Sequence, residues 1–379
     1  MQGDVATALS LSVLWVNRII IMAEMQSTSN AATLGLGFHR FDGDVKVADV
    51  MHQIGADFTV REDKIVRVTD EMLAQIRNGE PVVIPTSHIV TSHKATVRDN
   101  DDKTIGVVGS TYGVIQNNSC LEILDLMCNA TVTDTPLKIV SAGLVHDFEP
   151  YIQAELPSDG LRIKGDPSET KFYAFVHTSH DGSSGLQVRF SPVRVICRNT
   201  FMANVSSKCG FTFRHTSKVQ ERIDLTEEAN IQRIRERVAR LNLFCKDYVD
   251  QMNALGLKPV TESEIREFTL NLFVDDDKVK DAVRAANYRF ADVDEVSTRL
   301  ANNVDSFMNV LHSSNGGQDF ASGTRLWLFN GVTNYTSNAV SYGNARQDSD
   351  FVRAEKRFDS LMNGAANKRV EKALELLAA

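Results

Sequence analysis

Near Asp224 the spacing of apolar residues along this chain turns from mainly strand-like to helical, and that change limits the folds open to it. Before that point apolar residues alternate, or run for a few positions between Gly, Pro, Asn and Asp clusters, as strands do. After it they recur every three or four residues, as in Ile231, Ile234, Val238, Leu241, Phe244, Tyr248 and Met252, the spacing of an amphipathic helix. Strands gathered first and helices second specify an α+β fold rather than an alternating parallel one.

Within the first half, a helix is expected over Val47 to Gly55 and strand-like runs at Val82 to Ile84, His88 to Val97 and Ile105 to Ile115. Asp99 to Lys103, reading DNDDK, is the tip of a hairpin. Gln116 to Ser119 supply cap residues for a helix beginning near Cys120. Strands follow at Leu137 to Leu144, Tyr151 to Leu156, Phe172 to Thr178 and Phe211 to His215, with Pro192 to Val205 read as a strand entering a short helix. Asp224 with Glu227, and Thr261 with Glu264, have capping-box spacing. Helical periodicity then covers Val279 to Tyr288, Val293 to Leu311, Leu326 to Val340 and Phe351 to Ala378. The expected organisation is an N-terminal extension over 1–34, a mixed α+β core over 35–222 with a hairpin, a helix and further strands, and a helical region over 223–379.

At 379 residues and 42% hydrophobic content the chain is long enough to bury a sizeable core. Five cysteines with no CxxC pair favour a reducing, cytoplasmic setting over a disulfide framework or a zinc ribbon. The apolar run Val5 to Val16 lacks a basic leader, and no window reaches the roughly 20 apolar residues of a membrane span. Neither GxGxxG nor GxxxxGK[ST] occurs, so no nucleotide cofactor is expected.

Charge is distributed unevenly. The whole chain carries −8, but between Lys171 and Lys218 seven Lys or Arg face the single acid Asp181. That segment is the expected phosphate-facing surface, with Arg189, Arg194, Arg198, Asn199, Arg214 and Lys218 as contacts. Set against this, Arg194 in the apolar context PVRVI suits a core-edge position equally well, and a charge on a strand face is usually just solvated. Most aromatics of the region fill a sheet, and Tyr112, between small residues, is the expected exposed platform for base stacking. A second cluster, His177, His180 and Asp181 with His215, has metal-ligating residue types, although no spacing here matches a zinc pattern. The competing reading makes the turn SHDGS architectural, its Asp and Ser bonding their own loop. Cys197 beside Arg198 is read as a buried cysteine rather than a nucleophile.

Four stretches, STYGVIQNNSCLEIL at 110–124, HTSHDGSSGLQVRFSPVRVICRNTF at 177–201, FRHTSKVQER at 213–222 and GTRLWLFNGVTNY at 323–335, resemble the phage/plasmid-like protein family. The resemblance runs over roughly residues 35 to 340. It departs at Gly35 to His39, which stand where the family has a Trp-His-Gly element. It implies a mobile-element context and assigns no reaction. The order of hairpin, helix, strands and helix is also similar to the core of phage single-strand annealing proteins, a topological likeness only. These readings lead to three expectations. The first is an ATP-independent protein that binds single-stranded DNA as a homo-oligomer, of which a ring is one form, assembled through the helical half. The second is a metal-dependent, nuclease-like enzyme using His177, His180, Asp181 and His215. The third is a non-enzymatic factor that binds a host protein.

Overall fold

A computed structural model describes residues 39–41, 47–130, 138–156, 161–167, 170–194, 210–224, 226–313, 319–344, 346–362 and 364–378. In chain order the elements are β1 (His39–Arg40), α1 (Val47–Gln53), β2 (Val60–Val66), α2 (Asp70–Arg77), β3 (Ile89–Arg98), β4 (Thr104–Gly109), α3 (Asn118–Ala130), β5 (Lys138–Val145), β6 (Glu149–Leu156), β7 (Thr170–His177), β8 (Leu186–Arg194) and β9 (Phe211–Phe213). The helical part then runs α4 (Val219–Ile223), α5 (Glu228–Gly256), α6 (Glu262–Phe273), α7 (Asp277–Ala285), α8 (Thr298–Leu311), α9 (Arg325–Asn334), α10 (Asp350–Met362) and α11 (Ala365–Ala378). The fold is α+β, as expected.

Two antiparallel sheets divide the strands. One is a six-stranded sheet in the order β1-β5-β6-β7-β8-β9, and the other a three-stranded ribbon β2-β3-β4. The ribbon closes at the DNDDK tip, where Arg98 N donates to Lys103 O and Asp102 takes the left-handed conformation that tight turns need. Pro192 sits inside β8 at no cost to pairing, because β9 reaches only Leu186 to Val188. One face of the large sheet, with Ile152, Ala154, Phe172, Ala174, Val176, Val188 and Phe190, packs into the main apolar core. That core also takes in Phe244 and Met252 of α5, Leu326 and Phe329 of α9 and Val370 of α11, so strands and helices share one core. The other face carries Tyr151 and Phe175, which pack against Phe358, Leu361 and Met362 of α10.

Several local expectations are corrected. Val82 to Ile84 form no strand, and Val83 is 87% exposed. Asp224 does not cap α5. It accepts from Thr226 N and Oγ1 in a turn, and α5 starts at Glu228 behind a Glu227 that makes no side-chain cap. Thr261 and Glu264 do form a full capping box. The run Phe351 to Ala378 is two helices, because the chain turns near Gly364, where a Cβ would lie 2.7 Å from the Ser360 Cα. Of the strand entering a short helix expected from Pro192 to Val205, the part beyond Arg194, Cys197 included, lies outside the described residues, as does everything expected of residues 1–34.

Candidate functional site

The SHDGS turn follows β7 and is almost wholly internal: Thr178, Ser179 and His180 have no more than trace exposure. Asp181 Oδ1 accepts from Ser183 N (2.8 Å) and Ser179 Oγ (2.9 Å), and Ser179 Oγ accepts in turn from Ser184 N (3.0 Å). Partial burial opposes ionisation of Asp181, but the bonds from Ser183 and Ser179 outweigh it and hold the carboxyl below its usual range. Gly182 adopts the left-handed conformation, which lets the chain reverse against Val108 of the ribbon.

His180 is the pin of this joint. Its Nε2 donates to Asn117 Oδ1 at 2.7 Å, and the Asn117 amide donates to the carbonyls of Ala56 (2.9 Å) and Phe58 (3.3 Å). Because Asn117 spends its NH2 group on two carbonyls, its oxygen must accept, which fixes the His180 proton on Nε2. Thr96 Oγ1 of β3 donates to His180 O at 2.7 Å. Burial, reinforced by the neighbouring His215, pushes the His180 imidazole down to about 3, so it is neutral at physiological pH. His215 Nδ1 donates to Gly113 O at 2.9 Å, and its ring stacks on Tyr112 at 4.5 Å and 6°. Burial also lowers its pKa, against the pull of the Gly113 bond. Gly113 is required here, since a Cβ would meet Thr216 O at 2.3 Å.

Two expectations change as a result. Tyr112 is 8% exposed, stacked on His215 with its hydroxyl donating to Ser179 O, and offers no free face to a base. His177, His180, Asp181 and His215 do not gather round one point: His177 Nε2 turns to Glu149 (3.1 Å), His180 to Asn117 and His215 to Gly113. The cause is the alternation of strand side chains, which sends His177 to the face opposite the junction.

The same alternation decides Arg189. It lies on the second face of the sheet, 8% exposed, with Nε donating to Gln187 Oε1 at 2.7 Å and Nη1 to Met362 O. Met362 ends α10, so Arg189 satisfies a carbonyl the helix leaves open. Burial lowers its pKa, and Glu371 opposes that. Arg189 is therefore a structural arginine. The Arg194 backbone ends β8 opposite Thr170. Arg198 and Asn199 lie outside the described residues. Arg214 and Lys218 are exposed, and among the described residues neither pairs with a carboxylate.

A further group escaped the sequence reading. His146, in the turn between β5 and β6, has Nε2 3.2 Å from both Asp359 oxygens and Nδ1 3.6 Å from Glu355 Oε1, while its backbone N donates to Glu355 Oε1 at 2.7 Å. The Asp359 bond, with Glu149 and Glu355 nearby, raises His146 to about 9. Glu149 is buried beside it and receives the His177 bond. The sequence signal was the short VHDFEP turn, with an imidazole three positions from a carboxylate; the α10 partners lie more than 200 residues away and left no mark.

These features define an α+β protein in which a two-sheet histidine junction and a polar sheet face closed by the last helices organise the sites. The chain belongs to the family described as a domain of unknown function, DUF932, whose model matches residues 104–362 and so takes in both the junction from Tyr112 to His215 and the group from His146 to Asp359. No curated protein matches the chain. No solved structure matches it either. None of the helices among the described residues is long and apolar enough to cross a membrane.

Proposed function

We propose that this protein binds single-stranded DNA through its phosphates, without a nucleotide cofactor, and acts in annealing or recombination on a mobile element. The observation that carries this reading is the placement of Arg214 and Lys218. They follow the edge strand β9, are exposed, and have no acidic partner among the described residues. Four cations of the ribbon are held differently: Arg61 by Asp63, Asp99 and Asp102, Lys94 by Glu62, Arg98 by Asp101 and Lys103 by Asp147. A cation already matched by a carboxylate has less to offer a phosphate. Arg194, Arg198 and Asn199 extend the same basic segment in sequence. Tyr112 and Arg189 serve the scaffold in this reading. A homo-oligomer would lengthen the short basic track of one protomer into a continuous one.

The test is fluorescence anisotropy of a labelled single-stranded oligonucleotide across a salt series. Binding should weaken steeply with salt, and the double variant Arg214→Ala, Lys218→Ala should lower the slope of log K against log salt by about 1.4, from two lost contacts at about 0.7 each. No binding at about 50 mM salt would overturn the proposal and favour a protein-binding role.

A further inference from the structure

We propose that His146, Glu149 and Asp359 form a binding site for a divalent first-row metal ion, open to water on its outer side. Each offers one ligand atom, and the three atoms lie within 4.8 Å of one another. Tetrahedral coordination at about 2.1 Å sets ligand atoms about 3.4 Å apart. His146 Nε2 and Asp359 already stand at 3.2 Å, so the remaining closure is that of Glu149 towards this pair, from within 4.8 Å. One imidazole and two carboxylates are a donor set for zinc, manganese or iron rather than for calcium or copper(I).

The surroundings are those of supported ligands. Glu149, 6% exposed, is oriented by His177 Nε2 at 3.1 Å, itself 2% exposed, so the carboxylate is held from behind by a buried donor. The His146 backbone is fixed by Glu355, which leaves the ring pointing to Asp359. Three carboxylates, Glu149, Glu355 and Asp359, thus surround His146 in a partly buried place. Their mutual repulsion is what a dication would offset. The side chains of His146 and Asp359 keep an open side, where water or a substrate oxygen would complete the coordination. The ligands come from the β5–β6 turn, the start of β6 and α10, so the ion would also tie α10 to the sheet. These residues are separate from Arg214 and Lys218, and the site stands or falls independently of DNA binding.

The experiment uses the full chain after chelator treatment and dialysis at pH 7.5, titrated calorimetrically with ZnCl2 and, separately, MnCl2, alongside thermal melts with and without each ion. Expected are one ion per chain, a rise in Tm on adding it, and at least a tenfold weaker Kd in Asp359→Asn, whose exposed position leaves the fold intact by circular dichroism. Glu149→Gln should do the same. Cobalt(II) substitution gives a second readout, a visible absorption band present in the unaltered chain and lost in Asp359→Asn. Absence of stoichiometric binding, or equal affinity in Asp359→Asn, would overturn the proposal and leave the group as an ion-pair network alone.

Discussion

Replacing Asn117 by Ala removes the hub of the junction between the two sheets. Asn117 is 1% exposed and makes three hydrogen bonds, one from His180 Nε2 and two to the carbonyls of Ala56 and Phe58. His180 Nδ1 already lacks a partner, so the variant would leave that ring with neither nitrogen bonded in a site without water access. A buried donor stripped of its partner costs about 1–3 kcal/mol, and two carbonyls that lose an amide add to it, giving a loss of about 3–4 kcal/mol. Urea unfolding at pH 7.5 measures it as a fall in midpoint at constant m-value. A loss below about 1 kcal/mol would refute the assignment of Asn117 as the hub. The variant Asn117→Asp adds a test of sign. His180 has a folded pKa near 3, below its unfolded value of 6.5, so its contribution is fully present above pH 6.5 and is lost as pH falls through that value, by about 1.4 kcal/mol per unit. A carboxylate at 117 would raise the folded value and flatten that slope between pH 6.5 and 4. Taking the difference between the two proteins cancels the titrating groups they share, and identical slopes between about pH 6.5 and 5, above the range where the new carboxyl itself titrates, would show that His180 is not buried neutral.

Two further outcomes follow from the same geometry. Arg189→Met should lower stability by about 3 kcal/mol in chemical denaturation, since it strips the donors from Gln187 and the α10 terminus, while leaving oligonucleotide affinity per folded molecule unchanged; loss of affinity at full stability would return Arg189 to the phosphate surface. Gly106→Ala places a Cβ 2.6 Å from the Asp181 Cα, a backbone atom that cannot step aside, and should speed hydrogen exchange in β3, β4 and the 178–185 turn more than in β6 and β7.

What the sequence disclosed and what it hid divide by range. The DNDDK tip, the Thr261–Glu264 capping box and the change of period near Asp224 depend on residues a few positions apart, and each was legible. Gln187 and Arg189 alternate with apolar Val188 and Phe190, a pattern that reads as a solvent-facing strand surface. The α10 terminus, 173 residues further on, covers that surface together with α11, whose Glu371 stands near Arg189. The burial of Tyr112 is hidden for a similar reason: its small neighbours reveal nothing of His215, which stacks on it from 103 positions away. The His146 group leaves little mark in the sequence because its carboxylates come chiefly from α10.

The register of the large sheet places both proposed sites along one end. His177 pairs with Tyr151 on one side and Gln187 on the other, and Leu186 pairs with Phe213, so the end of β5, the start of β6, the end of β7, the start of β8 and the end of β9 are level. His146 and Glu149 sit at that end beside β5 and β6, and Arg214 leaves it from β9. With strands about 4.8 Å apart, the two lie on the order of 15–20 Å from one another across the sheet. The ribbon reaches the same end, where Arg98 Nη1 donates to Asp147 O at 2.9 Å and Lys103 pairs with the Asp147 carboxylate. The C-terminal helices close the polar face behind this end, through Arg189 on Met362 and His146 on Glu355, so they act as its cover. A single strand held at Arg214 and Lys218 and running along the sheet end towards β5 would approach the His146 group. That placement makes metal-dependent cleavage of bound DNA the sharpest way to separate a pure binding protein from a nuclease, since only the second requires Glu149 and Asp359 for turnover while sparing affinity.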